Sequence, residues 1–407
     1  MKLSSGTKCR CTLGELIECF DNKRIPLSAQ ERATRKGPYR YYGAQNVVDH
    51  IDAYLFDGEY ALIAEDGENL RSQKQDVAQI VEGQFWVNNH AHIIQANANA
   101  DLWYLCALLN QTDISRYISG SAQPKLSQEG MRKIVVEVPD VQEQRRIGLL
   151  LRCLDRKIAL NRKKIATLEK MAKEIYDYWF VQYDFPDANG RPYKSSGGEM
   201  VYSPELKREI PKGWRSSSLG EIMQIERKTV DPSSIPDQVI VHYSIPAFDE
   251  NMYPAFCCAS EIQSSKFKID SEVVLLSKLN PKFKRIWDPP VIGEYSLCST
   301  EFIVCKAKQP RDKPFIFEVL NSDSVQRYMI DGASSSTGSR SRFAAELLPD
   351  FPLAIPPQSV IDSFTRIAKL SHTQIKYLRI GITRLTTLRD FLLPLLMNGQ
   401  VRIGGVA

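Results

Sequence analysis

The chain has 407 residues, of which 43% are hydrophobic and 25% are charged, and its formal net charge is +5. This length allows two or three domains that each bury a core, and the composition is that of an ordinary globular protein. There is no run of about 18 apolar residues and no apolar leader, so we expect neither a membrane span nor a secretory signal.

The cysteines indicate the redox compartment. They are scattered along the chain, without a CxxC pair or a cysteine–histidine cluster of zinc spacing. We therefore expect reduced thiols, no metal site and a cytoplasmic location.

The first predicted domain covers residues 1–141 and has a mixed α/β pattern. Strand-like runs of aliphatic and β-branched residues occur at 60–64, 90–94 and 133–138, and a helical segment occurs at 101–109. This pattern predicts a compact α/β globule.

A long amphipathic helix over residues 142–184 is predicted to follow. From Ile147 to Trp179, stripe residues recur at alternating steps of four and three. A stripe with a period of about 3.5 residues is typical of a left-handed coiled coil. Asn161 is the polar exception, and we interpret it as a residue that selects the helix register, with a solvated edge of the stripe as the alternative.

The second half of the chain has the same kinds of element. Residues 185–214 are rich in proline, glycine and serine, and we interpret them as a linker without a core element. A second mixed α/β domain is predicted over 215–355, a second long helix over 356–398 and a tail over 399–407.

The two halves are related by an internal repeat. Residues 138–180 and 355–397 both begin with an aliphatic residue and proline and continue as an amphipathic helix, at a constant offset of 217. The tripeptide Leu-Gly-Glu also occurs near the start of each domain, at Leu13 and Leu219. Such a repeat predicts one duplicated plan, a globule followed by a helix, whose helices pair as an antiparallel coiled coil.

Positive charge is concentrated in the two helices. Residues 142–180 contain ten Lys and Arg against five Asp and Glu, and residues 358–398 contain six against two. Basic helices joined to near-neutral globules indicate a polyanion as partner, and a solvated helix face is the alternative.

These features resemble the specificity subunit of type I restriction-modification systems. The resemblance covers essentially the whole chain and rests on the duplicated plan and on the stretches TLGELIE, SLGEIM, YRYYGAQNVVDHIDAYLFDGEYALIAEDG, LLSKLNPKFKRIW, GSAQPKLSQEGMRKIVVEVP and IYDYWFVQYDFP. It implies that each globule reads one half of a bipartite, asymmetric target in double-stranded DNA. It also implies that the helices act as a spacer and bind two methyltransferase subunits, which use S-adenosylmethionine, and that restriction subunits can join them.

The chain itself is predicted to be non-catalytic and to need no cofactor. A methyltransferase would need an (N/D)PP(Y/F) motif, and the nearest sequences, at 280–283 (NPKF) and 288–291 (DPPV), depart from it. There is no P-loop. His90 and His92 alternate on a predicted strand, so we interpret them as structural or DNA-facing rather than as metal ligands.

In the first domain the expected DNA-binding residues combine amides, aromatic rings and a glycine that allows close approach. They are Arg40, Tyr41, Tyr42, Gly43, Gln45, Asn88, Asn89, His90, Gln123 and Lys125. Core packing is the alternative for Tyr41 and Tyr42.

In the second domain the expected DNA-binding residues lie in a basic run and in a segment rich in serine and arginine. They are Lys278, Asn280, Lys282, Lys284, Arg285, Ser339, Arg340 and Arg342. We expect phosphate contacts from the basic run and base preference from Gln45 and Gln123. A solvated loop is the alternative for residues 334–342.

An aromatic cluster at the end of the first helix is expected to bind the methyltransferase subunits. Its members are Tyr176, Tyr178, Trp179 and Phe180. Two paired helices cannot bury every ring of such a cluster, which motivates this assignment. A coiled-coil adaptor that bridges proteins without binding DNA is the alternative function for the whole chain.

Overall fold

A computed structural model describes residues 8–120, 123–235, 238–335 and 341–404. The chain divides into two compact units, and each is described by itself. Unit 1 is formed by Met1–Lys157 with Leu385–Ala407, and unit 2 is formed by Ile158–Arg384.

Unit 1 contains a mixed α/β globule. Its strands are β1 (Cys9–Thr12), β2 (Ile17–Cys19), β3 (Lys36–Tyr42), β4 (Val47–Ile51), β5 (Phe56–Ala64), β6 (Ala78–Val87), β7 (Ala91–Ala96), β8 (Ile118–Ser119), β9 (Lys125–Leu126) and β10 (Val135–Val138). Its helices are α1 (Ala29–Thr34), α2 (Asn69–Ser72), α3 (Leu102–Asn110), α4 (Gln128–Arg132) and the first part of α5 (Val141–Tyr176). One six-stranded sheet has the order β2-β7-β5-β6-β3-β4.

Unit 2 contains a second mixed globule. Its strands are β11 (Met200–Ser203), β12 (Arg208–Pro211), β13 (Arg215–Ser218), β14 (Met223–Glu226), β15 (Thr229–Val230), β16 (Val239–Tyr243), β17 (Ala255–Cys258), β18 (Lys266–Lys268), β19 (Val273–Ser277), β20 (Ile286–Trp287), β21 (Ser296–Cys298), β22 (Phe302–Ala307), β23 (Ala333–Ser335), β24 (Ser341–Phe343) and β25 (Pro352–Ile355). Its helices are α6 (Ile245–Asn251), α7 (Lys313–Asn321), α8 (Asp323–Asp331) and most of α9 (Gln358–Met397), together with the second part of α5. Its two larger sheets have the orders β14-β22-β19-β20 and β15-β18-β21-β16-β17.

The first helical segment predicted from the sequence is α3, and local chemistry explains it. The side chain of Asp101 caps the helix by accepting a hydrogen bond from the backbone N–H of Tyr104 at 3.0 Å. Leu105 and Leu109, four residues apart, are buried on one face against the sheet and the start of α5. The helix therefore closes one side of the unit 1 core.

Both globules contain the same two-stranded ribbon, in which the strand before the Leu-Gly-Glu tripeptide pairs with the last strand. In unit 1, β1 pairs antiparallel with β10, so that Cys9 lies opposite Val138. In unit 2, β13 pairs antiparallel with β25, so that Arg215 lies opposite Ile355. The Leu-Gly-Glu tripeptide follows each first strand as a short 3-10 helix whose leucine is fully buried. The repeat predicted from sequence is thus present at the level of strand register.

The stretch 185–214 is folded, so its interpretation as a linker without a core element was wrong. Strands β11 and β12 form a hairpin within it. Phe185, Ile210 and Trp214 are buried in the main core of unit 2. The prolines and glycines make tight turns between short elements, and the interspersed aromatic rings bury enough apolar surface to order them.

The heptad stripe of α5 and of the π-helical turn Asp177–Val181 that continues it is buried as predicted. Every stripe position from Ile147 to Trp179 is buried or half-buried. Along α9 the stripe is buried at Phe364, Ala368 and Leu396 and half-buried between Ala368 and Leu396. None of the described helices is long and apolar enough to cross a lipid bilayer.

Within each unit the segments of α5 and α9 run antiparallel. In unit 1, Asp155 pairs with Arg389 at 2.8 Å, while Ile147 packs in one cluster with Leu396. In unit 2, Glu169 pairs with Arg379 at 2.6 Å, while the ring centroids of Tyr176 and Phe364 lie 6.1 Å apart. Residue numbers therefore rise along one helix as they fall along the other. The predicted fold class, two similar mixed α/β globules with an antiparallel helix pair, is confirmed.

Asn161 is buried, with 4% of its surface exposed, so the solvated-edge alternative does not hold. It faces Gly381 of α9, where a Cβ atom would lie 3.6 Å from Asn161 Nδ2. A Cβ atom at that distance would be in ordinary van der Waals contact, so the amide of Asn161 lies close to the backbone of α9 at Gly381. A polar group at one place in an apolar stripe favours a single register, and this role of Asn161 stays a prediction.

Candidate nucleic-acid interface

The aromatic part of the first predicted DNA-binding segment is in the core of unit 1. Tyr41 and Tyr42 are 0% and 5% exposed, which is the core-packing alternative. Tyr41 Oη accepts a hydrogen bond from the backbone N–H of Leu27 at 3.0 Å. Arg40 lies over the ring of Tyr42 and donates to the carbonyl of Glu82 at 2.5 Å. These three side chains therefore make contacts within unit 1 that support β3.

The turn after β3 leaves an amide nearer the surface. Gly43 N–H donates to the carbonyl of Asn46 at 2.9 Å, and a Cβ atom on Gly43 would lie 2.9 Å from Val48 Cγ1. Gln45 is half-buried, and its carbonyl accepts from Gln79 Nε2 at 2.7 Å. The backbone of Gln45 is therefore held in place by a neighbour on β6.

The second segment, Asn88–His90, connects β6 to β7 and contacts the end of β3. Asn88 N–H donates to the carbonyl of Tyr42 at 3.1 Å, and Asn88 Oδ1 accepts from His90 N–H at 2.8 Å. Asn89 and His90 are exposed. His90 Nδ1 lies 2.6 Å from Asp66 Oδ2, which fixes the orientation of the ring. This segment presents an amide and an oriented imidazole to solvent.

The third segment, which contains Gln123 and Lys125, meets the second through residues 65–66. We call the place where these three backbone segments meet the junction. Glu65 N–H donates to the carbonyl of His90 at 2.9 Å, and Leu126 N–H donates to the carbonyl of Glu65 at 2.8 Å. Asp66 forms an isolated bridge with Lys125, whose ammonium lies 3.2 Å from Glu65 Oε1. The structure thus brings together segments that the sequence separates, and Gln123 is exposed beside them.

A carboxylate–histidine group under this junction has the composition of a metal site. It consists of Asp21, Glu65 and His92. Arg24 supplies the positive charge that balances the two carboxylates, because its guanidinium lies 2.7 Å from Glu65 and 3.4 Å from Asp21. Although burial opposes ionisation, the hydrogen bond with His92 holds the pKa of Asp21 below its usual value. We therefore assign this group to the support of β7 rather than to metal binding.

In unit 2 the basic run of residues 278–285 contains cations that have a carboxylate partner among the described residues and cations that have none. Lys284 Nζ donates to the carbonyl of Asn321 at 2.7 Å and lies 3.0 Å from Asp323. Arg285 makes two hydrogen bonds with Asp249, at 2.6 and 2.8 Å. Both cations therefore hold elements of unit 2 together, which makes them weaker candidates for phosphate contact than their charge suggests.

Lys278 and Lys282 are the cations of this run that have no carboxylate partner among the described residues. Lys282 is exposed, with its Nζ 5.1 Å from the centroid of the Phe283 ring, and Lys278 is half-buried. Neither has a carboxylate at ion-pair distance in the part of the chain that the structure describes. Asn280 makes two hydrogen bonds with Ser341. Its backbone N–H donates to the carbonyl of Ser341 at 2.7 Å, and its side-chain Oδ1 accepts from the backbone N–H of Ser341 at 3.0 Å.

The junction of unit 1 recurs in unit 2. Lys278 N–H donates to the carbonyl of Glu301 at 3.0 Å, and Phe343 N–H donates to the carbonyl of Lys278 at 3.0 Å. Leu279 forms an isolated bridge with Arg342, as Asp66 does with Lys125 in unit 1. Of the predicted residues in this region, Ser339 and Arg340 lie outside the described residues.

The junction adds acidic residues that the sequence patterns do not single out. Glu65 and Asp66 lie at the end of a stretch that carries the family resemblance but are not among the expected DNA-binding residues, and Glu301 belongs to no motif. The repeat itself could have found Glu301. Leu109-Asn110 and Leu320-Asn321 match at a second offset of 211, and the same offset relates His90 to Glu301. A single sequence does not show which of the many residues at that offset share a hydrogen-bond pattern.

The aromatic cluster at the end of α5 is mostly internal to unit 2. Tyr176, Trp179 and Phe180 are 5%, 7% and 8% exposed and belong to its main core. Tyr178 is 39% exposed. Of these four rings, only that of Tyr178 is available to a partner on this surface.

Comparison with known proteins places this architecture. A family model described as the type I restriction modification DNA specificity domain matches residues 10–170. A Haemophilus influenzae protein named as a type I restriction enzyme specificity subunit is 30% identical over 142 residues, which are 35% of this chain and 36% of that protein. The MjaIX specificity subunit of Methanocaldococcus jannaschii is 24% identical over 315 residues, which are 74% of this chain and 69% of that subunit.

The fold has a counterpart among solved structures. The crystal structure of a type I restriction-modification S subunit from M. genitalium matches with a TM-score of 0.65 and 13% identity, covering 97% of this chain and 98% of that one. The match to the H. influenzae protein spans about a third of its length, while the similarity in fold extends through both units. Residues 10–170 therefore match the type I restriction modification DNA specificity domain, the chain is similar in sequence to named type I specificity subunits, and its fold is that of a solved S subunit.

Proposed function

We propose that the chain reads a bipartite, asymmetric DNA target, with one half-site bound by each unit, and that its helices bind two methyltransferase subunits. The observation that carries this proposal is the backbone junction that occurs once in each unit and gathers exposed polar and cationic side chains. Two similar but non-identical binding surfaces on one chain suit a target made of two different halves. Methylation is carried out by the methyltransferase subunits. Cleavage is carried out by restriction subunits where they are present.

Electrostatics support DNA as the ligand. The helices have an excess of basic residues, and Lys278 and Lys282 have no carboxylate partner in the described chain. Cations of this kind bind phosphate oxygens and release counterions, which gives affinity without sequence preference. Amides such as those of Asn89 and Gln123, which are exposed at the unit 1 junction, suit adenine.

Replacing Lys278 and Lys282 together by alanine is expected to weaken binding to all DNA sequences. Each phosphate contact that is lost is expected to reduce the salt slope by about 0.9. Fluorescence anisotropy titrations of labelled duplex DNA at several salt concentrations measure this slope. The control is the double variant Lys194→Ala/Lys212→Ala, which removes the same charge from exposed positions near the β11–β12 hairpin of unit 2. An equal loss of slope in both variants would reduce the effect to net charge and contradict the assignment.

The surface of the helices supports two docking positions. Exposed apolar side chains recur at the repeat offset of 217, with Leu160 matched by Tyr377 and Met171 by Leu388. Their exposed fractions are 47%, 72%, 48% and 45%. Exposed apolar side chains at repeated positions are typical of a surface that a partner covers. We therefore assign the methyltransferase contact to these residues and to Tyr178.

The double variant Leu160→Glu/Met171→Glu is expected to lose one methyltransferase subunit, because charges at one of two equivalent surfaces block one partner. The wild-type chain co-expressed with a type I methyltransferase is expected to elute as a complex of two methyltransferase subunits and one specificity subunit. Light scattering coupled to size exclusion measures the stoichiometry. Thr373→Glu, at an exposed polar position of α9, is the control. Retention of both partners by the double variant would refute this surface.

A coiled-coil adaptor without DNA binding is the alternative. A gel-shift experiment with random duplex DNA, with and without the methyltransferase, separates the two functions. Binding of DNA by the complex but by neither the methyltransferase alone nor an empty control supports the proposed function. A complex that assembles but never shifts DNA at low salt favours the adaptor.

A further inference from the structure

An arginine–carboxylate pair occupies the junction of unit 2. Arg342 Nη2 lies 2.8 Å from Glu301 Oε1, and Arg342 Nε lies 3.2 Å from Glu301 Oε2. The side chains are 47% and 25% exposed, respectively. Two parallel hydrogen bonds to one carboxylate hold the planar guanidinium in one orientation.

The backbone around Arg342 is also held firmly. Asn280 has a left-handed conformation with φ of 48°, and it bonds Ser341, the residue before Arg342, through both its main chain and its side chain. Phe343, the residue after it, is 1% exposed and donates its N–H to the carbonyl of Lys278. Arg342 is therefore an exposed side chain on a rigid backbone, which is the arrangement that specific recognition requires.

The second edge of the guanidinium remains open. The pair with Glu301 uses the N–H of Nε and one N–H of Nη2, which leaves the two N–H groups of Nη1 and the other of Nη2. Among the described residues no second carboxylate pairs with Arg342. Two parallel N–H donors at this spacing match the O6 and N7 acceptors of guanine in the major groove.

We propose that Arg342 reads a guanine in the half-site of unit 2 and that Glu301 is its positioning residue. The proposal rests on the proposed function, since it needs unit 2 to bind DNA. At the equivalent junction, unit 1 carries Lys125 beside Glu65, a compact ammonium that lacks the two-pronged geometry. The two units therefore present different chemistry at one repeated position, which gives the two half-sites different sequences.

A purely structural ion pair is the competing explanation. Exposed pairs contribute little to stability, so loss of Arg342 would then leave both folding and base preference unchanged. A phosphate contact is a third possibility, and it would lower affinity equally for all sequences. Base preference at one position is the property that only the proposed role changes.

The test selects bound duplexes from a library that is randomised over the target, using the full chain in complex with a methyltransferase subunit. Wild type is expected to enrich a guanine at one position of one half-site. Arg342→Ala and Arg342→Lys are expected to lower the preference at that position by about tenfold to a hundredfold, and Glu301→Gln by a smaller factor. The control is Arg227→Ala, which breaks another exposed arginine–glutamate pair of unit 2, with Glu346.

The outcomes separate the proposals. Unchanged guanine preference in Arg342→Ala, with or without a uniform loss of affinity, overturns the reading role of Arg342. Full preference in Glu301→Gln overturns the positioning role of Glu301. A wild-type complex that enriches no sequence overturns the proposed function itself. Thermal melting of each variant shows whether unit 2 is intact, and the preference for the other half-site must persist in all of them.

Discussion

Replacing Phe364 by alanine is expected to lower the free energy of unfolding of unit 2 by about 3–5 kcal/mol. Phe364 is 1% exposed, and its ring centroid lies 5.0 Å from that of Phe180 and 5.8 Å from that of Trp179. Loss of the ring leaves a cavity where α9 meets α7 and the end of α5, because the surrounding rings belong to these two other elements and cannot all move inward.

Urea unfolding followed by tryptophan fluorescence measures this loss. Trp179, Trp214 and Trp287 are all in unit 2, and Trp179 packs directly against the substituted ring. Because a chain with two units need not unfold in one step, hydrogen exchange of unit 2 segments is measured in parallel. The control is Phe391→Ala, which removes a ring of α9 that is 65% exposed and is expected to change stability by no more than about 0.5 kcal/mol. A similar small change in Phe364→Ala would contradict the assignment of this cluster as the core of unit 2.

Replacing Asp288 by asparagine is expected to cost about 3 kcal/mol at neutral pH, near the lower limit for breaking a buried ion pair. Its carboxylate lies 2.6 Å from Lys313 Nζ and 2.8 Å from Lys376 Nζ, and the side chains of Asp288 and Lys313 are 14% and 13% exposed. The substitution leaves a mostly buried ammonium without a counter-charge. It also removes an ion pair that ties α9 to the second globule.

The pH dependence of this loss provides a second signature. Burial lowers the pKa of Lys313 below its usual range even with Asp288 present, and without the carboxylate the pKa falls further. The folded variant can then release the proton of Lys313 at a pH where the unfolded chain, with a lysine pKa of about 10.4, still holds it. The unfolded state therefore binds more protons in this window, so the stability of the variant rises with pH and its deficit shrinks towards pH 10.

Chemical denaturation of wild type and variant at pH 7 and pH 9.5 measures both effects. Glu199→Gln is the control, since it breaks an exposed pair with Lys212 whose side chains are 64% and 63% exposed, and it is expected to cost at most about 1 kcal/mol. The double variant Asp288→Asn/Lys313→Met is expected to recover part of the loss, because it removes the unpaired charge. A deficit in Asp288→Asn that stays the same at both pH values would show that the ammonium of Lys313 is not the origin of the cost.

These ion pairs also explain why charge along the sequence is a poor guide to the interface. Lys284 and Arg285 belong to a strongly basic short run, yet they bond Asp323 and Asp249, which lie 39 and 36 residues away. Nothing local to the run indicates these partners. Only the fold decides which cations have a carboxylate partner and which, such as Lys282, have none among the described residues.

The sequence alone determined the architecture, because repeats and periodicity are properties of the chain. The repeat predicts one plan used twice, and both globules contain the same antiparallel ribbon, in which Cys9 lies opposite Val138 and Arg215 lies opposite Ile355. The heptad steps predict the buried stripe of α5, since a helix places residues three and four apart on one face whatever it packs against.

The tertiary structure determined which side chains of the two repeated halves are exposed and which polar groups pair with each other. Burial of Tyr176, Trp179 and Phe180 depends on rings from α7 and α9 that are more than a hundred residues away, so their exposure could not be inferred from the helix alone. The pairing of Glu301 with Arg342 depends likewise on a junction of three strand ends. Local patterns specify elements and their buried faces, whereas the partners of polar groups are set by contacts between distant parts of the chain, and those partners define the interface.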